Sequence, residues 1–239
     1  MYHQTKGIVL HTVKYSETSI IAKIYTSQYG LQSYMIKGVR TSKSKNKASL
    51  YQPLTLLDME TSHRQNQQLQ FIKECRRDYT YQSIPFDTLK STIALFMLEV
   101  ISKSIREQEE NIELFDFIYE ALQLLDTSEK LHPEFHLVFL LRLSRHLGFA
   151  PHENYSEANS SFEMNEGFFT TPNERLHTLG KNESKLLYDL MQRNFFDVTA
   201  SHLNRAERKK MLHILLDYYR LHIENFSLKS PEILEEVLG

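Results

Sequence analysis

The sequence has 239 residues, 41% of them hydrophobic and 24% charged, which is long enough for one large or two ordinary cores and too apolar for a disordered chain. One cysteine, Cys75, excludes a disulfide framework and a Cys-rich zinc site, and no apolar run approaches the ~18–20 residues of a membrane span, so a soluble cytoplasmic protein is expected. The net charge of −2 is unevenly spread: residues 1–82 carry 12 Lys and Arg against 5 Asp and Glu, the rest 16 against 25, so the first part is expected to meet a polyanion.

In chain order, Lys6–Lys14 and Thr18–Tyr25 are rich in β-branched residues and predict strands, with Ile20, Ala22 and Ile24 on one face. Ser27–Gly30 is a turn into a third strand, Leu31–Lys37. After the polar linker Arg40–Ser49 comes a fourth strand, Leu54–Glu60. Ser62–Gln68 then leads to a fifth, Leu69–Arg77, with Leu69, Phe71 and Cys75 on one side. Five short strands with no long helix predict a small closed barrel, either an OB-fold or an SH3-like barrel.

The period changes after Tyr81. From Pro85, Leu89, Ile93, Phe96 and Val100 recur at helical spacing, and Ile112–Leu125 repeats the pattern. Pro133–Leu147 is apolar nearly all round and predicts the buried centre of a bundle, stopped by Gly148 and Pro151. Residues 152–182 are polar, with a small hairpin around Phe162–Thr171, and two helices follow at Glu183–Arg193 and Arg205–Ile223. The expected fold is α+β and multidomain: a five-stranded β-barrel in 1–81, then an all-α domain in 82–239 with the polar insert inside it.

The densest chemical signal is Lys37, Arg40, Lys43, Lys45 and Lys47, separated by small polar residues, a composition that can follow a phosphate backbone. Lys73, Arg76 and Arg77 on the fifth strand extend this candidate DNA site. Tyr25, Tyr29, Tyr34 and Tyr51 are either base-stacking surfaces or barrel core. In the helical part, Arg142 with Arg145, and Arg205, Arg208, Lys209 and Lys210, are candidate contacts for an acidic, apolar-ended peptide, or else solvated helix faces.

Catalytic signals are poor. His132 and His136, and His213 and Asp217, stand four apart, but no third metal ligand or intervening general base accompanies either pair. No GxxxxGK[ST], GxGxxG or GxSxG occurs, and Cys75 has no placed histidine partner. The reading is of a non-enzymatic protein with neither cofactor nor metal.

Lys6-Gly7-Ile8-Val9-Leu10, Tyr15-Ser16-Glu17-Thr18-Ser19, Tyr29-Gly30 and Lys37-Gly38-Val39-Arg40, in that order, resemble the opening of the RecO family. Arg142-Leu143 and Leu147-Gly148-Phe149-Ala150-Pro151 are similar to its Leu-Gly-Tyr-Ala-Pro segment, and Lys229-Ser230 to its closing region. The resemblance implies an N-terminal OB-fold that binds single- and double-stranded DNA, and a helical C-terminal domain. It also implies strand annealing, and cooperation with RecR in loading RecA onto DNA coated by single-strand-binding protein. That protein's C-terminal tail is the expected acidic peptide, and the expected location is the cytoplasm, in association with the nucleoid. Many members carry two CxxC pairs for zinc after the Ala-Pro segment. Here His152–Asn159 and Gly167–Asn173 lack them, so packing of Phe162, Phe168 and Phe169 is expected instead. An RNA-binding OB-fold protein and a pure protein adaptor are the rival readings.

Overall fold

The computed structural model describes residues 2–39, 48–64, 67–173, 175–193, 195 and 203–238. The chain forms two compact units, 1–127 and 128–239, so the strand-to-helix change near residue 81 lies inside the first.

In the first unit, β1 (His3–Lys14), β2 (Ile20–Thr26), β3 (Gly30–Ile36), β4 (Leu56–Ser62) and β5 (Gln70–Tyr79) close into a barrel of order β1-β2-β3-β5-β4. All neighbours are antiparallel except β3 and β5, and this order is that of an OB-fold rather than an SH3-like barrel. Closure depends on the 12 residues of β1, whose first half pairs with β4 and second half with β2. The register shifts between Val9 and His11, and this bulge adds the bend that a barrel wall needs. Val9, Ala22, Ile24, Tyr34, Leu57 and Met59 fill the interior.

The fifth strand departs from the simple alternation expected of it. Opposite Glu60 and Thr61 the register jumps from Glu74 to Ile72, leaving Lys73 as an extra residue. Ile72 and Cys75 therefore both pack on the core, while Phe71 is 42% exposed and Leu69 precedes the strand. A bulge reverses side-chain parity, so Phe71 and Cys75 face opposite ways.

Two helices complete this unit, α1 (Thr88–Ser104) and α2 (Ile112–Thr127). The Asp87 carboxylate caps α1 by accepting from the Lys90 backbone N–H at 3.0 Å. The segment leaving β5 is fastened to the end of α2 by Asp126, which is only 2% exposed. Its two carboxylate oxygens accept from the backbone N–H groups of Gln82 (2.8 Å), Ser83 (2.8 Å) and Ile84 (2.9 Å) and from the Tyr79 hydroxyl (2.9 Å). The buried Lys90 ammonium donates to the Asp126 carbonyl at 2.9 Å.

Gly30 opens β3 in the left-handed region, at φ +58°, where the Leu31 N–H reaches the Glu107 carbonyl at 2.9 Å. A Cβ here would lie 2.4 Å from the Glu109 carbonyl oxygen. Gly30→Ala is therefore expected to lower stability by about 1–3 kcal/mol from backbone strain alone, read as a lower urea midpoint at unchanged slope.

The second unit is built on α3 (Phe135–His146), in which Phe135 to Leu141, Leu143 and Ser144 are all buried, as expected for the centre of a bundle. Gly148, at φ +85°, ends it, and the Phe149 N–H returns to the Ser144 carbonyl at 3.0 Å. A hairpin, β6 (Ser161–Glu163) and β7 (Phe168–Thr170), precedes α4 (Lys181–Met191) and α5 (Arg205–His222). Asn204 and Glu207 cap α5 reciprocally. A final helix, α6 (Ser230–Leu238), was not anticipated from the sequence; Pro231 and Leu234 are its buried side chains.

The polar insert is held by aromatic packing. Phe162 and Phe169 are each 1% exposed and lie 5.0 Å apart, whereas Phe168 is 39% exposed and takes little part. Tyr155 packs edge-on against Phe169, and Tyr188 stacks on Tyr155. Tyr218 of α5 adds its ring against Phe162 and donates its hydroxyl to the Phe149 carbonyl at 2.7 Å. Among the described residues no three His, Cys, Asp or Glu side chains are grouped as a metal ion would need. Treatment with a strong chelator is expected to leave the melting temperature unchanged, and a drop would reveal a metal in the insert.

Candidate nucleic-acid interface

The basic segment leaves the barrel at the end of β3. Lys37 is exposed, with its ammonium 5.8 Å from the centre of the Phe71 ring. Arg40, Lys43, Lys45 and Lys47 lie outside the described residues. The segment starts from Val39, which is buried in the barrel core, just past the end of β3, where Met35 pairs with Phe71 at the exposed start of β5.

Lys73, Arg76 and Arg77 sit on β5, and the first two have carboxylate partners. Lys73 Nζ lies 3.0 Å from Glu60 Oε1, and Arg76 Nη2 lies 2.6 Å from Asp58 Oδ2. Lys6 adds a third pair with Asp78 at 2.9 Å, and Arg77 is exposed. The Glu60 hydrogen bond raises the pKa of the Lys73 ammonium, so it stays charged at any physiological pH. Much of this wall's positive charge is consequently offset, and a phosphate approaching it must share Lys6, Lys73 and Arg76 with an acid.

The tyrosines divide clearly. Tyr25, Tyr34 and Tyr51 are core residues, at 1%, 0% and 5% exposure, so the stacking role considered for them is ruled out by burial. Tyr29 is half-buried, with His63 stacked on it at 4.2 Å. Tyr15 (59%) is exposed as well, but Tyr2 (53%) and Phe71 (42%) each have a lysine ammonium over the ring, Lys73 and Lys37 respectively. Phe71 was not legible as a surface ring in the sequence, because the bulge in β5 conceals that it points outward.

An open groove in the same unit brings Lys23 of β2 together with Lys103 of α1 and Arg106, over Leu10, Leu31, Leu95 and Leu98. These cations are far apart in sequence and form no visible cluster there.

The helical unit has two clefts that match the predicted cation groups. Arg142 and Arg145 line one with Leu141, Ala150, Pro151 and Met191, and Arg142 also donates to the Arg193 carbonyl. Arg205, Arg208 and Lys209 line the other with His136, Leu212, Glu235 and Leu238. Arg208 Nη1 is braced by the Leu203 carbonyl at 2.8 Å. Lys210 is directed elsewhere, in an ion pair with Glu183. His136 is 1% exposed, and burial, assisted by the charge of Arg208, lowers its pKa to about 3, so it is a neutral wall of this cleft. His213 Nε2 lies 2.8 Å from Glu235 Oε1, while Asp217, four residues on, pairs with Arg220. No helix among the described residues is long and apolar enough to cross a membrane.

Residues 1–79 match the family described as Recombination protein O N terminal, and residues 85–232 match Recombination protein O C terminal. Similar curated proteins, each named DNA repair protein RecO, include one from Bacteroides fragilis, 39% identical over 99% of both chains. Others are from Flavobacterium psychrophilum, 37% identical, and Phocaeicola vulgatus, 36% identical, both over the full length of each chain. Two family matches in the right order, full-length relatives and an OB-fold barrel followed by helices lead to one conclusion: the chain belongs to the RecO family.

Proposed function

We propose that the protein is a recombination mediator in DNA repair, without enzymatic activity. It binds single- and double-stranded DNA, anneals complementary strands, and helps RecR load RecA onto DNA coated by single-strand-binding protein. The observation that carries this reading is an OB-fold barrel rooted at both ends of a segment of five cations, Lys37 to Lys47, with the exposed ring of Phe71 beside Lys37. OB-fold barrels bind nucleic acid through such loops, and a backbone contact made this way is insensitive to sequence. Lys73, Arg76 and Arg77 are secondary contacts in this scheme, since two of them are already matched by acids. In this reading the protein acts in the cytoplasm, in association with the nucleoid.

The acidic tail of single-strand-binding protein is assigned to the helical unit. The cleft of Arg205, Arg208 and Lys209 offers cations for its carboxylates and Leu212 for its apolar end. The cleft of Arg142 and Arg145 is the alternative place for it.

Titration of labelled single-stranded DNA and RNA at two salt concentrations tests the reading. Tighter binding to DNA, with a steep loss of affinity at higher salt, is expected. A preference for RNA would instead make this an RNA-binding OB-fold protein, and negligible binding to both would make it an adaptor.

A further inference from the structure

The cleft lined by Arg205, Arg208 and Lys209 has an occupant within the chain itself. Helix α6 brings Glu235 and Leu238 to its edge. Glu235 Oε2 lies 2.8 Å from Lys209 Nζ, and Glu235 Oε1 lies 2.8 Å from His213 Nε2. Its side chain is only 17% exposed, so this carboxylate is shielded rather than waving in solvent. An acid on the cations with a leucine beside it is the chemistry that an acidic, apolar-ended peptide would bring to the same place.

We propose that α6 is a displaceable internal strap over this cleft, competing with an incoming acidic peptide for Lys209 and the apolar wall. The proposal rests on the reading above that the cleft receives such a peptide. Displacement is feasible because α6 is lightly held. It has nine residues, shorter than a helix that stands alone in water, and its buried side chains are Pro231 and Leu234. Ile233, at 58%, and Val237, at 37%, stay partly exposed in the closed position and so add little to its hold. The closed strap lowers apparent affinity by the fraction of molecules in which the cleft is open. It thereby limits capture of stray acidic segments and admits a peptide that makes more contacts than Glu235 and Leu238 do.

The test uses the full chain and a fluorescent probe, Asp-Asp-Asp-Asp-Phe with a free carboxylate, followed by anisotropy. Glu235→Gln is expected to tighten binding about three- to tenfold, by raising the open fraction. Glu236→Gln removes the same charge from the exposed side of the same helix and is expected to bind as the unaltered chain does. Arg205→Ala is expected to weaken binding about tenfold, reporting on the cleft itself. In hydrogen exchange, saturating probe is expected to speed exchange of the amides of residues 230–238 and to leave α3 protected. The strap idea fails alone if Arg205→Ala weakens binding while Glu235→Gln does not tighten it, or if Glu236→Gln tightens it equally. It also fails alone if exchange in α6 is unaltered by bound probe. Absence of probe binding, or binding indifferent to Arg205, overturns the assignment of the cleft and the strap with it.

Discussion

Asp126→Ala is expected to destabilise the N-terminal unit by about 3–5 kcal/mol, a large effect for a single polar substitution. The carboxylate is buried and accepts from three consecutive backbone N–H groups and a tyrosine hydroxyl, so its removal strands all four donors at once. A loss of this size lowers the first thermal unfolding transition by roughly 10–20 °C. Asp126→Asn fills the same space but turns an NH2 group toward donors, and should recover only part of the loss. The pH dependence has a definite sign. Burial alone would raise the carboxyl pKa, but the hydrogen bonds from Gln82, Ile84, Ser83 and Tyr79 outweigh it and hold the pKa below the ordinary value. The stabilisation is therefore complete above the unfolded value near 3.9 and disappears as pH falls through the lower folded value. Melting curves from pH 6 down to pH 3 should show this acid-side loss in the native chain and not in Asp126→Ala. Equal stability of the two proteins at pH 6 would mean that the carboxylate does not fasten β5 to α2.

Replacing Lys43, Lys45 and Lys47 together with alanine should weaken single-stranded DNA binding by about two orders of magnitude at 0.1 M salt. Each lost phosphate contact removes ~0.7 from the slope of log K against log salt, so the three together flatten it by about 2. Stability should be unaltered, because lysines set among small polar residues supply no apolar surface for a core. The corresponding change at Lys73 and Arg76 should be several times smaller, since Glu60 and Asp58 already engage them. An unaltered slope in the triple variant would move the DNA site away from this segment. The groove of Lys23, Lys103 and Arg106 would then be the next place to substitute.

How far this arrangement could be read from the chain depended on whether partners were near in sequence. The strands of the barrel were legible because β-branched residues cluster and alternate, and α3 because it is apolar all round. Parity in β5 was not, because a bulge leaves no mark in a sequence such as Phe71-Ile72-Lys73. The cations of the linker were visible because they fall within eleven residues of sequence. Neutralisation of Lys73 and Arg76 was hidden, because their acids lie 13 and 18 residues away and meet them only across two paired strands. Burial of Tyr25, Tyr34 and Tyr51 could not be distinguished from a stacking surface, because an aromatic ring suits either. Helix α6 begins with Ser230-Pro231-Glu232, a legible start, but its nine residues bury little and give a weak periodic signal.

The buried tyrosines also determine how this molecule responds to alkali. It has 13 tyrosines and no tryptophan, so its near-ultraviolet signal comes mainly from phenols. Burial raises the pKa of Tyr25, Tyr34, Tyr51, Tyr81, Tyr119, Tyr218 and Tyr219, and these hydroxyls stay protonated while the fold is intact. In the unfolded chain each ionises near pH 10. Every one of them thus contributes stability that is full below pH 10 and declines above it by about 1.4 kcal/mol per pH unit. Seven such groups acting together make base denaturation abrupt, with a burst of phenolate absorbance as both cores open to hydroxide.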